Sequence, residues 1–118
     1  MHLIGVDIGG TKIGVCIGDD TGKVIASKRI LTQPLKGSQK GLPAMRELIS
    51  QMLLEEGISI KEIGAIGISS PGPISTKEGK MLNPPNLPGW ENAPLVQFFK
   101  DAFHKPVVMN NDANAAGV

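Results

Sequence analysis

The stretch "GVDIGGTKIGVCIG", Gly5 to Gly18, decides the fold because two strand patterns flank a pair of glycines. Alternating apolar residues predict a first strand over 3–8 and a second strand over 13–18. Adjacent glycines suit the tip of a tight hairpin between them. The turn sequence "DDTGK" then leads into a third strand over 23–31. The chain therefore opens with three antiparallel strands.

The next part of the chain predicts a helix and a buried strand. A polar loop over 33–40 precedes apolar residues at helical spacing, with Pro43 in the first turn of the helix and Gly57 at its end. "IGAIGISS", residues 63–70, predicts a fourth strand. Because a helix separates this strand from the third one, we expect it to have a parallel neighbour.

A loop rich in proline, glycine and asparagine follows, with a small hairpin over 74–82. Pro94 opens a second helix, residues 107–109 predict a fifth strand, and a third helix starts with Asn111 or Asp112 as its cap. The predicted fold class is α/β. We expect a mixed five-stranded sheet, with three antiparallel strands extended by parallel ones and with flanking helices.

Composition excludes several classes of function. The 118 residues carry a net charge of +1 and contain no basic run, which argues against a nucleic-acid surface. No apolar stretch reaches the roughly 20 residues that cross a bilayer, and no signal peptide precedes the first strand. Cys16 is the single cysteine, and its apolar surroundings predict a small buried side chain. We expect a cytoplasmic domain without nucleic-acid or membrane partners.

The hairpin carries the first candidate site. Asp7, Gly9, Gly10, Thr11 and Lys12 offer a carboxylate, closely approachable amides, a hydroxyl and an amine. Such groups can hold the phosphates of a nucleotide and, through water, a divalent cation on the carboxylate. The alternative is a tight hairpin with solvated polar residues. Asp7 argues against this alternative, because a carboxylate inside an otherwise apolar strand is costly unless it is paired or functional.

Two familiar phosphate motifs do not fit this stretch. The order Thr11-Lys12 reverses the Lys-Ser or Lys-Thr of a Walker A loop. A strand follows the glycines, whereas both the Walker A loop and the dinucleotide fingerprint lead into a helix. If phosphates bind here, they bind to a hairpin.

Polar residues also follow the fourth and fifth strands, at Ser69-Ser70 and Asn111-Asp112. Ligands of α/β sheets gather at the carboxyl ends of strands, so these residues and Asp7 predict one cleft. Asp112 is the candidate general base, because a carboxylate near phosphates can accept the proton of an attacking hydroxyl. The alternative for Asp112 is a helix cap, and the two roles are compatible.

The intervening loop offers weaker candidates. Gly72, between two prolines, serves either a turn or a close backbone approach to a ligand. Asn86 and Trp90 either shape a sugar pocket or belong to a loop anchored by a half-buried tryptophan. The residues alone leave both pairs of alternatives open.

Four motifs, "DIGGTK", "GISSPGPIS", "NPPNLPGW" and "VVMNNDANAAG", occur here in an order and spacing that resemble the ROK family of bacterial sugar kinases and repressors. The resemblance covers essentially the whole chain. It implies the actin-like ATPase, or ribonuclease H-like, fold. It also implies that residues 1–118 form the N-terminal lobe of a two-lobe, glucokinase-like enzyme whose C-terminal lobe is absent from this chain.

The resemblance assigns roles residue by residue. It implies that the hairpin residues Asp7, Gly9, Gly10, Thr11 and Lys12 face the phosphates of ATP and Mg²⁺, with Asp7 reaching the metal through water. It implies that Asp112 is the catalytic base for phosphorylation of a sugar hydroxyl, by resemblance the C6 hydroxyl. The sugar contacts that it implies are Gly72, Asn86, Asn111 and Asp112.

The chain also departs from the family pattern. Members have a second lobe with the adenosine pocket and a cysteine-rich structural zinc motif, which one cysteine cannot supply. We therefore expect a truncated chain, or one whose second lobe was lost, that is inactive alone and whose full-length parent binds a sugar and ATP. The resemblance implies that a homodimer is one option for the parent, because the family is often dimeric through its other lobe, and the oligomeric state stays open.

Two alternatives remain. A sugar-responsive regulator of the same family would carry a DNA-binding segment before the motif "DIGGTK". Only a few residues, among them His2-Leu3-Ile4, precede that motif here, and this favours a kinase unless upstream residues are missing. An actin-like or Hsp70-like ATPase would share the hairpin but would not need the Asn111-Asp112 pair.

Overall fold

The computed structural model describes residues 1–9, 12–31, 37–70, 74–75, 80–81, 90 and 93–111. A short 3₁₀ turn over Ile60–Glu62 precedes the fourth strand. The strands and helices in chain order are β1 (His2–Ile8), β2 (Lys12–Gly18), β3 (Val24–Leu31), α1 (Ser38–Glu56), β4 (Ile63–Ser70), β5 (Ile74–Ser75), β6 (Lys80–Met81), α2 (Leu95–Phe103) and β7 (Val107–Asn111).

The main sheet has five strands in the order β3-β2-β1-β4-β7. Strands β1, β2 and β3 pair antiparallel, whereas β4 pairs parallel with β1 and with β7. The predicted mixed sheet is therefore confirmed. The small hairpin is also present, because β5 and β6 pair antiparallel in a separate two-stranded sheet.

The core lies between one face of this sheet and the helices α1 and α2. The alternation of the first two strands buries one set of side chains completely, each at most 2% exposed: Ile4, Val6, Ile8, Ile13, Val15 and Ile17. Met45, Ile49 and Phe99 cover them from the helices and are fully buried. Burial of each such side chain contributes about 1.5–3 kcal/mol, so this face holds the domain together. No helix in the described part of the chain is long and apolar enough to cross a membrane.

Helix α1 begins earlier than the sequence predicts. It starts at Ser38, and Pro43 is inside the helix, not in its first turn. The Gly41 N–H already donates to the Gly37 carbonyl at 2.9 Å, so a helical turn forms before the proline. The expectation of loop up to residue 40 is wrong, because burial of Gly41 and Leu42 outweighs the hydrogen bond that Pro43 cannot make. The helix ends as predicted, at Gly57 in the left-handed region with φ 68°.

The second face of the sheet is lined by small and polar residues. Gly5 is the direct partner of Cys16 in β2 and of Gly67 in β4, so these three residues share this face. Cys16 is partly exposed, and the prediction that it belongs to the buried face is wrong. The alternation puts Cys16 out of phase with Val15 and Ile17, which are the buried residues of β2.

The two ends of the sheet differ in character. Residues that close β1, β4 and β7, namely Ile8, Ser70 and Asn111, lie at one end, which we call the hairpin end. Helix α1 follows β3 at this end, and α1 and α2 each end shortly before a strand that starts at the opposite end, β4 and β7 respectively. The opposite end carries the β2–β3 turn at Asp19 and the end of α2, where His104 adopts a left-handed conformation with φ 55°.

Candidate functional site

The β1–β2 hairpin is closed by one short backbone hydrogen bond. The Gly9 N–H donates to the Lys12 carbonyl at 3.0 Å, so only residues 10 and 11 connect the two strands. A Cβ at position 9 would lie 2.9 Å from that carbonyl oxygen. Glycine is therefore required at position 9 by the close approach of the backbone, and its φ is not positive. Lys12 is exposed beside this bond.

Asp7 belongs to a row of residues that crosses the whole sheet. It pairs with Gly14 of β2 on one side and with Ser69 of β4 on the other. Ser69 pairs in turn with Asn110 of β7, and Ser70 pairs with Asn111. The carboxyl ends of three parallel strands therefore meet at the hairpin end.

Asp7 is exposed on the second face of the sheet. Asp7 is within the apolar strand β1, as expected, but its side chain is not buried, because Val6 and Ile8 point to the other face. Exposure removes most of the desolvation cost of the carboxylate. The case for Asp7 as a site residue thus depends on its place at the hairpin end.

Arg29 is a residue of this surface that the sequence analysis missed. It pairs with Gly14, and an ideal Cβ on that glycine would lie 3.7 Å from Cγ of Arg29 and 4.0 Å from Cβ of Asp7. The aliphatic part of Arg29 and the side chain of Asp7 thus lie on either side of Gly14, which has no side chain of its own. The signal is the pairing across the two hairpins, because the register that pairs Asp7 with Gly14 also pairs Gly14 with Arg29. A shallow concavity of about 410 Å³ covers this face, from Arg29 across Gly5 to Val108.

The start of each helix adds a partial positive charge to the hairpin end. The first turns of α1 and α2 contain no acidic residue, and neither N-cap residue, Gly37 or Pro94, has a side chain that accepts a hydrogen bond from the helix. Backbone N–H groups at a helix start attract anions, an effect of about 0.3–1 kcal/mol each at an exposed site. Together with exposed Lys12, these helix starts favour a negatively charged ligand at this end.

Several predicted site residues lie outside the described residues, namely Gly10, Thr11, Gly72, Asn86 and Asp112. Asn111 is the last residue of β7, which extends two residues beyond the predicted fifth strand, and the predicted third helix lies outside the described residues. Asp112 follows Asn111 directly, and consecutive Cα atoms are about 3.8 Å apart. Strand β7, which ends one residue before Asp112 in the sequence, is two positions from β1 in the sheet.

A carboxylate with a lowered pKa lies at the other end of the molecule. The Thr21 hydroxyl donates to Oδ1 of Asp19 at 2.5 Å, and the amides of Lys23 and Thr21 donate to the same oxygen. These bonds stabilise the charged form and lower the pKa of Asp19. These hydrogen bonds stabilise the turn between β2 and β3, which is remote from the hairpin end.

Trp90 is the end of the proline-rich loop and is only 1% exposed. It is thus fully buried, more than the half-buried tryptophan of the predicted loop anchor. Its carbonyl accepts a hydrogen bond from the Ala93 N–H at 3.1 Å, just before α2. Of the two alternatives for Trp90, the loop anchor is the one that this burial supports.

Comparison with known proteins identifies the family. The model of the ROK family matches residues 3–118, which is nearly the whole chain. The chain belongs to the ROK family. Its five-stranded mixed sheet matches ROK sugar kinase structures of the actin-like ATPase fold.

Two curated ROK relatives illustrate the range of functions. The chain is 34% identical over 115 residues to a glucokinase of Thermotoga maritima, covering 98% of this chain and 35% of the relative. It is 31% identical over 116 residues to a xylose repressor of Caldicellulosiruptor bescii, covering 98% of this chain and 29% of the relative. The chain therefore spans about a third of the length of the ROK proteins that it matches.

A solved ROK structure carries bound ligands. The ROK family glucokinase of Streptomyces griseus, in complex with glucose and AMPPNP, matches with a TM-score of 0.76 and 30% identity. The match covers 99% of this chain and 35% of that one. ROK sugar kinases are thus among the relatives of this chain, and so are regulators.

Proposed function

We propose that residues 1–118 are the N-terminal lobe of a two-lobe, ATP-dependent sugar kinase of the glucokinase type. The observation that carries the proposal is the register Asp7–Ser69–Asn110, which brings the hairpin and the end of β7 to one end of the sheet. The glucokinases among the relatives support the reaction class. The acceptor is a sugar hydroxyl, and we propose the C6 hydroxyl of a hexose.

The hairpin residues bind the phosphates in this proposal. The positively charged side chain of Lys12 and the backbone N–H groups near Gly10 and Thr11 attract the phosphate oxygens of ATP. The starts of α1 and α2 add their partial positive charges at the same end. In this proposal the helix starts are in place before the substrate binds, so they stabilise charge in the transition state without reorganisation.

The residues at the hairpin end also fit a magnesium ion. In the described part of the chain, no cluster of three acidic, histidine or cysteine residues could hold a metal by itself. Mg²⁺ bound with nucleotides uses one or two carboxylates and completes its shell with water and phosphate oxygens, so exposed Asp7 suffices. When bound there, Mg²⁺ would neutralise charge on the β- and γ-phosphates.

Phosphoryl transfer then needs a base and an oriented acceptor. The sugar hydroxyl oxygen forms a bond to the γ-phosphorus, and the bond from that phosphorus to the bridging oxygen breaks, leaving its electron pair on ADP. The Asp112 carboxylate accepts the proton of the hydroxyl. Gly72, Asn86 and Asn111 orient the sugar. A second lobe would exclude water and complete the phosphate site, so we expect the 118-residue chain alone to be inactive.

The test is a screen of hexoses with the full-length product of the gene, with ADP release as the readout. We expect sugar-dependent ADP release, and we expect Asp112→Asn to lower kcat by about 10²–10⁴-fold while the sugar KM changes little. The control is Asp101→Asn, an exposed carboxylate on α2 that bonds only Gln97 among the described contacts. Turnover by the 118-residue chain alone would contradict the need for a second lobe.

A regulator is the second candidate function, because the xylose repressor covers as much of this chain as the glucokinase does. The same screen separates them. A full-length product that phosphorylates no hexose, but binds DNA and releases it when a sugar is added, overturns the kinase proposal in favour of the regulator.

A further inference from the structure

Arg29 of β3 lies on the second face of the sheet, in the same row as Asp7. It is the direct partner of Gly14, and Gly14 is the direct partner of Asp7. An ideal Cβ on Gly14 would lie 3.7 Å from Cγ of Arg29 and 4.0 Å from Cβ of Asp7. The arginine stem therefore passes close to the glycine, and the guanidinium at its end is within reach of a group bound at the Asp7 carboxylate.

The neighbouring lysine of β3 points to the opposite face. Nζ of Lys28 donates to Oε1 of Glu55 at 2.6 Å, and Glu55 belongs to α1, which covers the core face of the sheet. Successive side chains of a strand alternate between the two faces, so Arg29 points to the second face. Arg29 is exposed, and it makes no ion pair within the described part of the chain. Its guanidinium is thus a cation that the ion pairs of the fold do not use.

Lys12 adds a second positive charge to this part of the surface. It precedes Gly14 by two residues in β2, and the buried Ile13 between them faces the core, so Lys12 and Gly14 share the second face. Lys12 lies diagonally across the β2–β3 pair from Arg29, and diagonal neighbours begin about 7–8 Å apart, within reach of long side chains. Lys12, Arg29 and Asp7 therefore supply two positive charges and one negative charge.

The chemistry of these three side chains favours one kind of ligand. A guanidinium binds two phosphate oxygens at once through its planar fork, and an ammonium group adds a point charge. The Asp7 carboxylate repels a bare phosphate but suits a divalent cation, so a phosphate chain with bound Mg²⁺ satisfies all three side chains. The shallow concavity of about 410 Å³ on this face, lined in part by Asp7, Gly14 and Arg29, has room for such a chain.

We propose that Arg29 is a phosphate-binding residue of the kinase and contacts the terminal phosphates of the Mg²⁺–nucleotide that Asp7 and Lys12 hold. The inference rests on the proposed kinase function. It adds a residue of the edge strand β3 that lies outside all four sequence motifs. It requires that loss of the guanidinium weakens the binding of nucleotides with β- and γ-phosphates and leaves the sugar site unchanged.

Nucleotide binding by the full-length product tests this role without turnover. Isothermal titration calorimetry in the presence of Mg²⁺ compares the non-hydrolysable ATP analogue AMPPNP with AMP, which lacks the terminal phosphates. Arg29→Gln removes the charge and keeps a polar side chain, so we expect the Kd of AMPPNP to rise about 10-fold or more and that of AMP to stay within about twofold. Arg29→Lys keeps a charge but loses the fork, and we expect a rise of about threefold in the Kd of AMPPNP.

Lys28→Gln is the matched control, because it removes the same charge from the adjacent residue, whose side chain binds Glu55 on the core face. We expect its Kd for AMPPNP to stay within about twofold of that of the unaltered protein. In steady-state kinetics, Arg29→Gln should raise the ATP KM about 10-fold or more and leave the sugar KM within about twofold. Far-ultraviolet circular dichroism checks the fold of each variant. If Arg29→Gln does not fold, Arg29→Lys decides, and an unchanged Kd for AMPPNP in that variant overturns the role.

The outcomes separate the two proposals. A full-length product that phosphorylates no sugar, but binds AMPPNP more weakly in Arg29→Gln, overturns the kinase function and retains the phosphate contact. An active product in which Arg29→Gln binds AMPPNP as tightly as Lys28→Gln does overturns the role of Arg29 alone. An equal loss of affinity for AMPPNP and AMP also overturns that role, since it indicates a general structural effect. A product that binds no AMPPNP overturns both proposals.

Discussion

Asp7 of β1 is the direct partner of Ser69 of β4 in a parallel register. Because β4 is the only strand between β1 and β7, the hairpin and the end of β7 are about 10 Å apart at the usual strand spacing. That separation is suited to a site in which one group binds phosphates and another accepts a proton from the acceptor. The functional proposal follows from this neighbourhood and would not follow from either motif alone.

Replacement of Asp7 by asparagine should affect catalysis and retain the fold. Asp7 is exposed, and asparagine keeps its shape and one acceptor oxygen, so the far-ultraviolet circular dichroism of the 118-residue chain is expected to be unchanged. In the full-length product we expect a fall in kcat of at least about 100-fold, because the carboxylate proposed to hold the metal is lost. Asp20→Asn, in the exposed turn at the far end, is the control. Equal kcat values for the two variants would remove Asp7 from the site.

Replacement by alanine should lower the free energy of unfolding at Gly9 and raise it at Gly67. A Cβ at position 9 would lie 2.9 Å from the Lys12 carbonyl oxygen, so the hairpin must shift, and we expect a loss of about 1–3 kcal/mol in unfolding free energy. A Cβ at position 67 meets no atom within 4 Å in the described part of the chain. Gly67→Ala should therefore stabilise strand β4 by about 0.5–1 kcal/mol. Urea denaturation of both variants measures the difference, and a Gly9→Ala chain as stable as the unaltered one contradicts it.

The pH dependence of stability should include a contribution from Asp19. Its folded-state pKa is below the ordinary value of 3.8, and the largest cause is the hydrogen bond that the Thr21 hydroxyl donates to the carboxylate. A lowered folded-state pKa means that this contribution is fully present above pH 3.8 and is lost as the pH falls through the folded-state value. Asp19→Asn keeps an acceptor oxygen but cannot titrate. Thermal melts between pH 2 and pH 7 should show the Tm advantage of the unaltered chain over Asp19→Asn shrinking below about pH 4.

The packing of α1 against the sheet can be tested by a mild truncation. Ile49 is fully buried, and Ile49→Val is expected to cost about 0.5–1.5 kcal/mol of unfolding free energy. Leu54, on the same helix, is 82% exposed, so Leu54→Ala is expected to change that free energy by no more than about 0.5 kcal/mol. Urea denaturation ranks the two variants. A larger loss for Leu54→Ala would mean that α1 is rotated relative to the described arrangement.

Local patterns were sufficient to predict most of the fold. The alternation of Ile4, Val6 and Ile8 with Ile13 and Val15 identifies both strands and the shared buried face. The helix between β3 and β4 requires the parallel pairing that the structure has. These inferences succeed because strand periodicity and short connections leave few alternative topologies.

The errors have a common physical cause. Periodicity separates the two faces of a strand, but it does not say which face other elements cover. The apolar neighbours of Asp7 and Cys16 therefore suggest burial of both side chains, although both lie on the second face, where Asp7 is exposed and Cys16 is partly exposed. The close contact of Gly41 with Trp90 joins residues 49 positions apart, and no local pattern reveals it. The early start of α1 similarly depends on burial of Gly41 and Leu42, which only the tertiary structure supplies.

The ammonium group of Met1 lies 3.4 Å from Oδ2 of Asp20, at the end of the sheet opposite to the hairpin. The seven residues of β1 separate the two ends by roughly 20 Å. A purification tag, a fluorophore or a surface linker attached at Met1 will consequently extend away from the hairpin end of the sheet. Immobilised protein should keep its ligand-accessible side turned toward the solution, which makes amino-terminal capture the natural format for sugar and nucleotide binding assays.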